Sequence, residues 1–474
     1  MEMLYEFGIL ALMLSSGISL AYGLGVRNAI LIPAGLAVSA VIRVLSHSLL
    51  EIFGQAQLGQ MTWLILSLGG LAFGLLKFLQ ERQYLLWLGL GVLAALVGPL
   101  VTRGMGLRGI PHSDSLWILT LSDLMQRAGD LEIVGGRTAI KRGFSFPMLL
   151  SLGPEGEFLS GLIVVIFIAL VLAIYWAVTE LAPRLNQRQW LWILLPVALV
   201  LLTAPIVWRA VLYINGHTLT AIGVTMAAGA VVISIRDERL SRPNLLLIAL
   251  GLALISTTRP EGVAFAAIIA APLLSRRWIS RWDVRLIAGS ALMSFGLWMY
   301  VYDGYIPNLI RLYDERFPIA MATGTFLVGL KIFDFLRFRL VPLAFAGMAG
   351  LLVLVLATNL GSLTDDIWAQ TQNLFLGAGF WGTFFVALVP TLIAIGRKAM
   401  SGGYQDLLTI SLLMALGSVV AKLMDGGLFG DPTLGRTGWT DSLNRMWLHV
   451  FGIFLVTAIV GLAERTRQLE RIVQ

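Results

Sequence analysis

The chain has 474 residues, of which 58% are hydrophobic and only 13% charged, and its mean hydropathy is +0.84. Soluble globular proteins carry about 25% charged residues, so the composition excludes an ordinary soluble domain and points to an integral membrane protein. The formal net charge of +7 is accounted for by Lys and Arg collected in loops on one membrane face, which argues against nucleic acid as a partner, and the absence of cysteine excludes disulfides and thiolate metal sites.

A bilayer span needs about 20 apolar residues. Apolar runs place spans at 5–24, 28–47, 61–79, 84–102, 158–181, 190–207, 217–235, 243–257, 262–275, 285–301, 321–336, 340–358, 374–395, 407–424 and 446–463, with two or three of them re-entrant or interfacial. The expected fold is an all-α integral membrane protein, a polytopic bundle of about 13–15 transmembrane helices with outer loops and short juxtamembrane helices. The long unbroken runs do not fit the ten-residue alternation of a membrane β-barrel. Phe7 to Leu24 follows acidic Glu2 and Glu6 and is expected to be a first span rather than a cleaved signal, which would open with basic residues. Three regions follow: an N-terminal four-helix segment (1–102), a long polar loop (103–157), and the rest of the bundle (158–474).

Alternate loops carry the basic residues, from Arg27, Lys77 and Arg82 through Arg236, Arg276 and Arg277 to Arg397 and Arg465. The positive-inside rule sets these in the cytoplasm. The 103–157 and 425–445 loops then face outward. So do Arg259-Pro260-Glu261-Gly262, Tyr302 to Pro318, and Asp365-Asp366. Five polar stretches on one face suggest a shared cavity.

Within the long loop, Pro111-His112-Ser113-Asp114-Ser115-Leu116-Trp117 precedes a segment of helix-like apolar spacing. Ser113 or Asp114 can cap that helix; alternatively Asp114 is a general base at the membrane surface. His112, His217 and His449, with His47, form no close pair along the chain, which argues against a histidine metal site. A divalent metal held by carboxylates stays open, and no cofactor is assigned. Arg259 precedes Pro260, a residue suited to the first position of a helix. Free backbone N–H groups at a helix start favour an anion, so Arg259 is a candidate phosphate clamp, or else an Arg snorkelling to lipid headgroups. Glu261 would complement the helix dipole. Asp441 and Arg445 suit a helix start, with the acid four residues ahead of the base. Arg43, an ionisable group near the outer end of the second span, is a functional hint by default or another snorkelling side chain.

Asp114 in an early outer loop, the Arg259-to-Gly262 turn, and Tyr302-x-Gly304-x-x-Pro307-Asn308 occur in the order found in the GT-C superfamily. Over roughly residues 84–320 the chain resembles these polytopic glycosyltransferases, in particular bacterial arabinofuranosyl- and mannosyl-transferase-like members; the last third is matched only by Asn444-Arg445. The resemblance implies an inverting transferase that takes a sugar from a polyprenyl-phosphate donor to a glycan, lipid or protein acceptor. It implies a bacterial inner membrane with the site on the periplasmic or extracellular side. Asp114 would be the catalytic base. Arg259, with Lys141, Arg142 and Arg311, would bind the donor phosphate, and His112, Glu261, Tyr302, Asn308 and Arg445 would contact substrate; no metal ligand is assigned. The chain departs from the family pattern in placing its acid after the fourth span, in having Ser115 where many relatives carry a second acid, and in lacking a lysine after the Pro-Asn turn, where Arg311 or Arg316 stand nearby. Two other readings are a ligase or polymerase using an undecaprenyl-diphosphate glycan, and a lipid or solute transporter.

Overall fold

A computed structural model describes residues 1–106, 113–127, 145–154, 157–182, 204–207, 216–259, 261–302, 337–358, 360–395, 402–427, 437 and 442–473. The described residues are helical, with no strand among them. In chain order the principal helices are α1 (Glu2–Gly23), α2 (Leu31–Ile52), α3 (Gly59–Phe78), α4 (Arg82–Pro99), α5 (Ser113–Arg127), α6 (Ser145–Leu150), α7 (Leu162–Leu181) and α8 (His217–Arg236). They continue with α9 (Arg242–Thr258), α10 (Gly262–Leu274), α11 (Arg281–Tyr302), α12 (Leu340–Thr358), α13 (Leu360–Phe375), α14 (Phe384–Ile395), α15 (Gly402–Gly427) and α16 (Ser442–Val473).

Seven described helices are long and apolar enough to cross a membrane: α1, α2, α3, α4, α7, α8 and α16. The outer faces of α3 and α4 leave Leu64, Ile65, Leu66, Leu68, Leu76, Leu86 and Leu93 exposed. In water such a surface would be an adhesive apolar patch; against lipid it is the ordinary state of a spanning helix. Helices α9, α10, α12, α14 and α15 contribute shorter apolar stretches. At 1.5 Å per residue the 13 residues of α10 reach only about 20 Å, short of a roughly 30 Å hydrocarbon core. The spans expected at 190–207 and 321–336 lie outside the described residues, apart from 204–207.

Two bundles share one apolar core. In the first, α1 packs against α2, α3 and α4. In the second, α8 is the hub: every residue from His217 to Ile235 is buried, enclosed by α7, α9, α10, α15 and α16. Helices α2 and α4 join the two by packing on α7, and α2 also packs on α9. With little hydrophobic drive between helices in lipid, small residues set the closeness of approach. A Cβ on Gly17 of α1 would fall 1.9 Å from the Gly35 carbonyl oxygen of α2, so any side chain there separates the pair.

The helix ends sort into two groups. Arg27, Lys77, Arg82, Arg236, Arg242, Arg276, Arg277 and Arg281 mark one end, where Arg236 donates to the Glu180 carbonyl, Arg276 pairs with Asp406 at 2.7 Å, and Arg277 lies over the Phe338 ring. At the opposite end, here the loop end, stand α5, α6 and the starts of α7, α8, α10 and α16. The alternation of basic loops expected from the sequence is therefore a physical separation in the fold.

Two expected spans are redrawn. The run at 374–395 is two elements: α13 stops at Phe375 and α14 starts at Phe384. Between them Gly377, Phe380 and Gly382 have φ of 90°, 63° and 57°, a left-handed backbone that glycine adopts freely and no helix continues through. Asp365 and Asp366 accordingly fall within α13 rather than in a loop. The last span, expected at 446–463, is the apolar part of a 32-residue helix, α16.

Candidate functional site

The loop end is held by a clasp. Pro99 lacks the N–H that would continue α4, and the chain widens into a π-helical turn at Leu100–Gly104, a common response to an interrupted ladder. That turn brings Arg103 to Glu2, to Glu157, and to buried Glu6 at 2.9 Å. Glu6 also accepts from the backbone N–H of Ser160 (3.0 Å) and Gly161 (3.1 Å). Arg103 and Glu157 are the two ends of the long polar loop, so their ion pair closes its base.

Inside that loop, α5 buries Ile118, Leu121, Ser122 and Met125, a stripe of helical period that packs on α6. Position 114 lies one turn before Ile118 on this stripe, in the first turn of α5; its carboxylate is outside the described side chains. Every residue of α6 is buried. Ser145 at its start donates to the Thr257 hydroxyl of α9 at 2.5 Å. Just past its end, Ser151 accepts from Arg43 of α2 at 3.4 Å. Helix α6 thus links the Asp114 helix to the approach of Arg259 on one side and to Arg43 on the other.

Arg259 leaves α9 in an extended conformation and its Nε donates to Glu261 Oε1 at 2.9 Å. Both side chains are largely buried, 14% and 17% exposed. Glu261 takes the N-cap position of α10, but its carboxylate makes no cap hydrogen bond. Glu261 is the partner that aims Arg259, and α10 is described from Gly262; Pro260 lies outside the described residues. Gly262 is required here: a Cβ would stand 2.0 Å from the Ile255 carbonyl oxygen.

Next to this turn are two buried histidines. His217 opens α8 and His449 lies in the second turn of α16; His217 Nδ1 is 2.6 Å from His449 Nε2, with the rings stacked at 4.8 Å. Phe265 of α10 meets the His449 ring edge to face at 5.9 Å. Arg259 and Arg445 both lie within electrostatic reach of His449. Distant along the chain, 232 residues apart, the two rings are brought together by the packing of α8 on α16. Asn444, beside Arg445, has a structural task. Its amide accepts from Trp381 Nε1 at 2.7 Å and donates to the Gly379 carbonyl at 3.2 Å, fixing the turn between α13 and α14.

Arg43 is 1% exposed, and its Nε and Nη1 have no hydrogen-bond partner among the described residues. His47 follows one turn later, also buried. A guanidinium cannot shed its charge, and a buried charge without a partner is costly, so this one marks a place where an anion would be welcome.

Of the residues expected in the site, the structure brings together Arg259, Glu261 and Arg445. Tyr302 ends α11 with its side chain outside the described ones, and His112, Lys141, Arg142, Asn308 and Arg311 lie outside the described residues altogether. Among the described residues no group of three or more His, Asp or Glu is placed to hold a metal ion. No family model matches this chain, and neither a curated protein nor a solved structure is significantly similar to it.

Proposed function

We propose that this chain is an inverting glycosyltransferase that moves a sugar from a polyprenyl-phosphate carrier to an acceptor hydroxyl at the loop end of the bundle, taken as the periplasmic or extracellular face. The observation that supports this most is the gathering of guanidiniums there. Arg259 and Arg445 come from distant segments to one histidine pair, and Arg43 is buried under α6 with unused donors. A phosphate leaving group meets that need through charge-assisted hydrogen bonds.

The chemistry asks little else of the protein. The acceptor oxygen attacks the anomeric carbon, its proton passes to Asp114, and the bond from that carbon to the phosphate oxygen breaks. The departing polyprenyl phosphate is stabilised by Arg259, which Glu261 orients, and by Arg445, Lys141, Arg142 and Arg311. His112, Tyr302 and Asn308 contact sugar and acceptor. The leaving group is activated already, so no general acid is needed; a positioned base contributes about 10²–10⁴-fold.

The test offers the purified protein a polyprenyl-phosphate monosaccharide and, separately, an undecaprenyl-diphosphate oligosaccharide. Turnover of the first by the native protein, lost in Asp114→Asn while donor retention persists, is the expected result. Turnover of the second alone replaces the transferase by a ligase or polymerase. Native-rate turnover by Asp114→Asn removes the base. The second reading is a transporter, and the observation in its favour is the buried Arg43 of α2, an ionisable group within a spanning helix. Flux that survives Asp114→Asn, without transfer by the native chain, would select it.

A further inference from the structure

At the basic end, away from the site described, a cavity of about 880 Å³ opens between the turn after α1, the start of α9 and the first half of α11. Its volume lies in the roughly 300–1,000 Å³ range of small-molecule clefts. The walls are apolar, with Leu245, Leu246 and Ala249 on one side and Leu286 and Met293 on the other. Two cations line it as well. Arg242 is the first residue of α9, just after the Ser241 cap, and is exposed. Arg285 of α11 lies 4.9 Å over the Trp282 ring, and its Nε is buried with no hydrogen-bond partner among the described residues.

Among the described residues no carboxylate lines the cavity. The nearest acid along α11, Asp283, is engaged by the Ser280 hydroxyl at 2.6 Å. Arg27, close by on the turn after α1, donates from Nη1 to the carbonyls of Tyr22 and Val26. Among the described residues, the charges that line the cleft are thus the two arginines alone. The lining positions 285, 289 and 293, and 242, 245 and 249, step along one face of each helix. The cleft thus runs down the helices toward the apolar interior from a charged mouth. A small soluble anion would use the mouth and leave the apolar length bare. An acidic phospholipid uses both, with its phosphate on the arginines and an acyl chain along Leu246, Leu286 and Met293. Basic pockets between spanning helices at the positive side recognise anionic headgroups on this principle.

We propose that this cleft is a binding site for an acidic phospholipid of the leaflet at the basic end, held through its phosphate by Arg242 and Arg285. The proposal takes the chain as membrane-spanning and does not depend on the sugar-transfer reading.

The test uses the full-length protein in nanodiscs of phosphatidylglycerol and phosphatidylcholine, and reads retained lipid by native mass spectrometry after transfer to detergent. Phosphatidylglycerol is expected to be retained over phosphatidylcholine by about tenfold or more. That preference is expected to vanish in R242Q/R285Q and to fall in Ala249→Trp, which fills the wall and leaves both charges in place. Equal retention of the two lipids by the native protein overturns the proposal, as does a preference that survives R242Q/R285Q. Inorganic phosphate that displaces phosphatidylglycerol at millimolar concentration would make this a free-anion site and overturn the lipid assignment. Should R242Q/R285Q fail to fold, Ala249→Trp with unchanged phosphatidylglycerol retention overturns it equally.

Discussion

His217 and His449 lie 232 residues apart in sequence and 2.6 Å apart in space, ring nitrogen to ring nitrogen. A contact that short holds one shared proton, with one imidazole donating and the other accepting. It also ties the start of the fully buried α8 to α16, beside the turn that carries Arg259. Replacing either ring alone leaves a buried polar group without its partner, so His217→Phe and His449→Phe should each destabilise by about 1–3 kcal/mol. Removing both should cost less than the two together, with a coupling of about 0.5–3 kcal/mol. Equilibrium unfolding of the four proteins in one detergent measures this; additive losses would mean that the pair has no energetic link.

The clasp at the base of the long loop gives a second expectation, because its three carboxylates are not equivalent. Glu6 is fully buried and satisfies two backbone N–H groups as well as Arg103, whereas Glu2 is 56% exposed. Glu6→Ala should cost about 3–5 kcal/mol, the range for breaking a buried pair. Glu2→Ala should cost no more than about 1 kcal/mol, as exposed pairs do. Unfolding midpoints and protease nicking between 107 and 144 would both report the difference. Equal effects would show that burial does not set the strength of this clasp.

The sequence made most of the bundle legible, since apolar runs and basic loops report span and side directly. α1, α2, α3, α8 and α9 all fall close to their expected positions. It misled at 374–395, where hydropathy counts apolar residues but does not register that Gly377, Phe380 and Gly382 turn the chain. For the site, Arg259, Glu261 and Arg445 were recognisable as polar residues at span ends. Their company was not. Nothing local to His217 or His449 announces the other, and nothing local to Arg43 tells that among the described residues its partner is Ser151. Pairings of this kind are set by which helices pack, and hydropathy carries no record of that.

Gly262 provides a prediction that separates the geometry of the arginine turn from its charge. Gly262→Ala keeps Arg259, Glu261 and their ion pair in composition, yet its Cβ would collide with the Ile255 carbonyl at 2.0 Å. Backbone has to move, and the Arg259–Glu261 turn moves with it. Misplacement of about 1 Å at a reacting centre can cost roughly 10²-fold. Transfer by Gly262→Ala should fall on that scale while the chain still folds, read as kcat/KM beside an unfolding curve. Unchanged kcat/KM would mean that the position of Arg259 is immaterial to the reaction.

Arg43 yields the sharpest division between a structural and a binding role. In the absence of ligand its charge is a burden, because burial costs free energy that one 3.4 Å contact to Ser151 does not offset. Replacing buried ionic groups by apolar ones of similar size is often neutral or stabilising, by about 1–4 kcal/mol. Arg43→Met should therefore leave the ligand-free protein as stable as the native chain or more so. If the guanidinium serves a lipid-linked phosphate, the same change should weaken donor retention by about tenfold or more. Stability and affinity would then move in opposite directions, a trade expected where a strained group is kept for function. Unfolding without donor, and retention of the polyprenyl-phosphate sugar in the same preparation, measure the two quantities independently. A variant that loses stability and keeps the donor would identify Arg43 as a structural residue and take it out of the site.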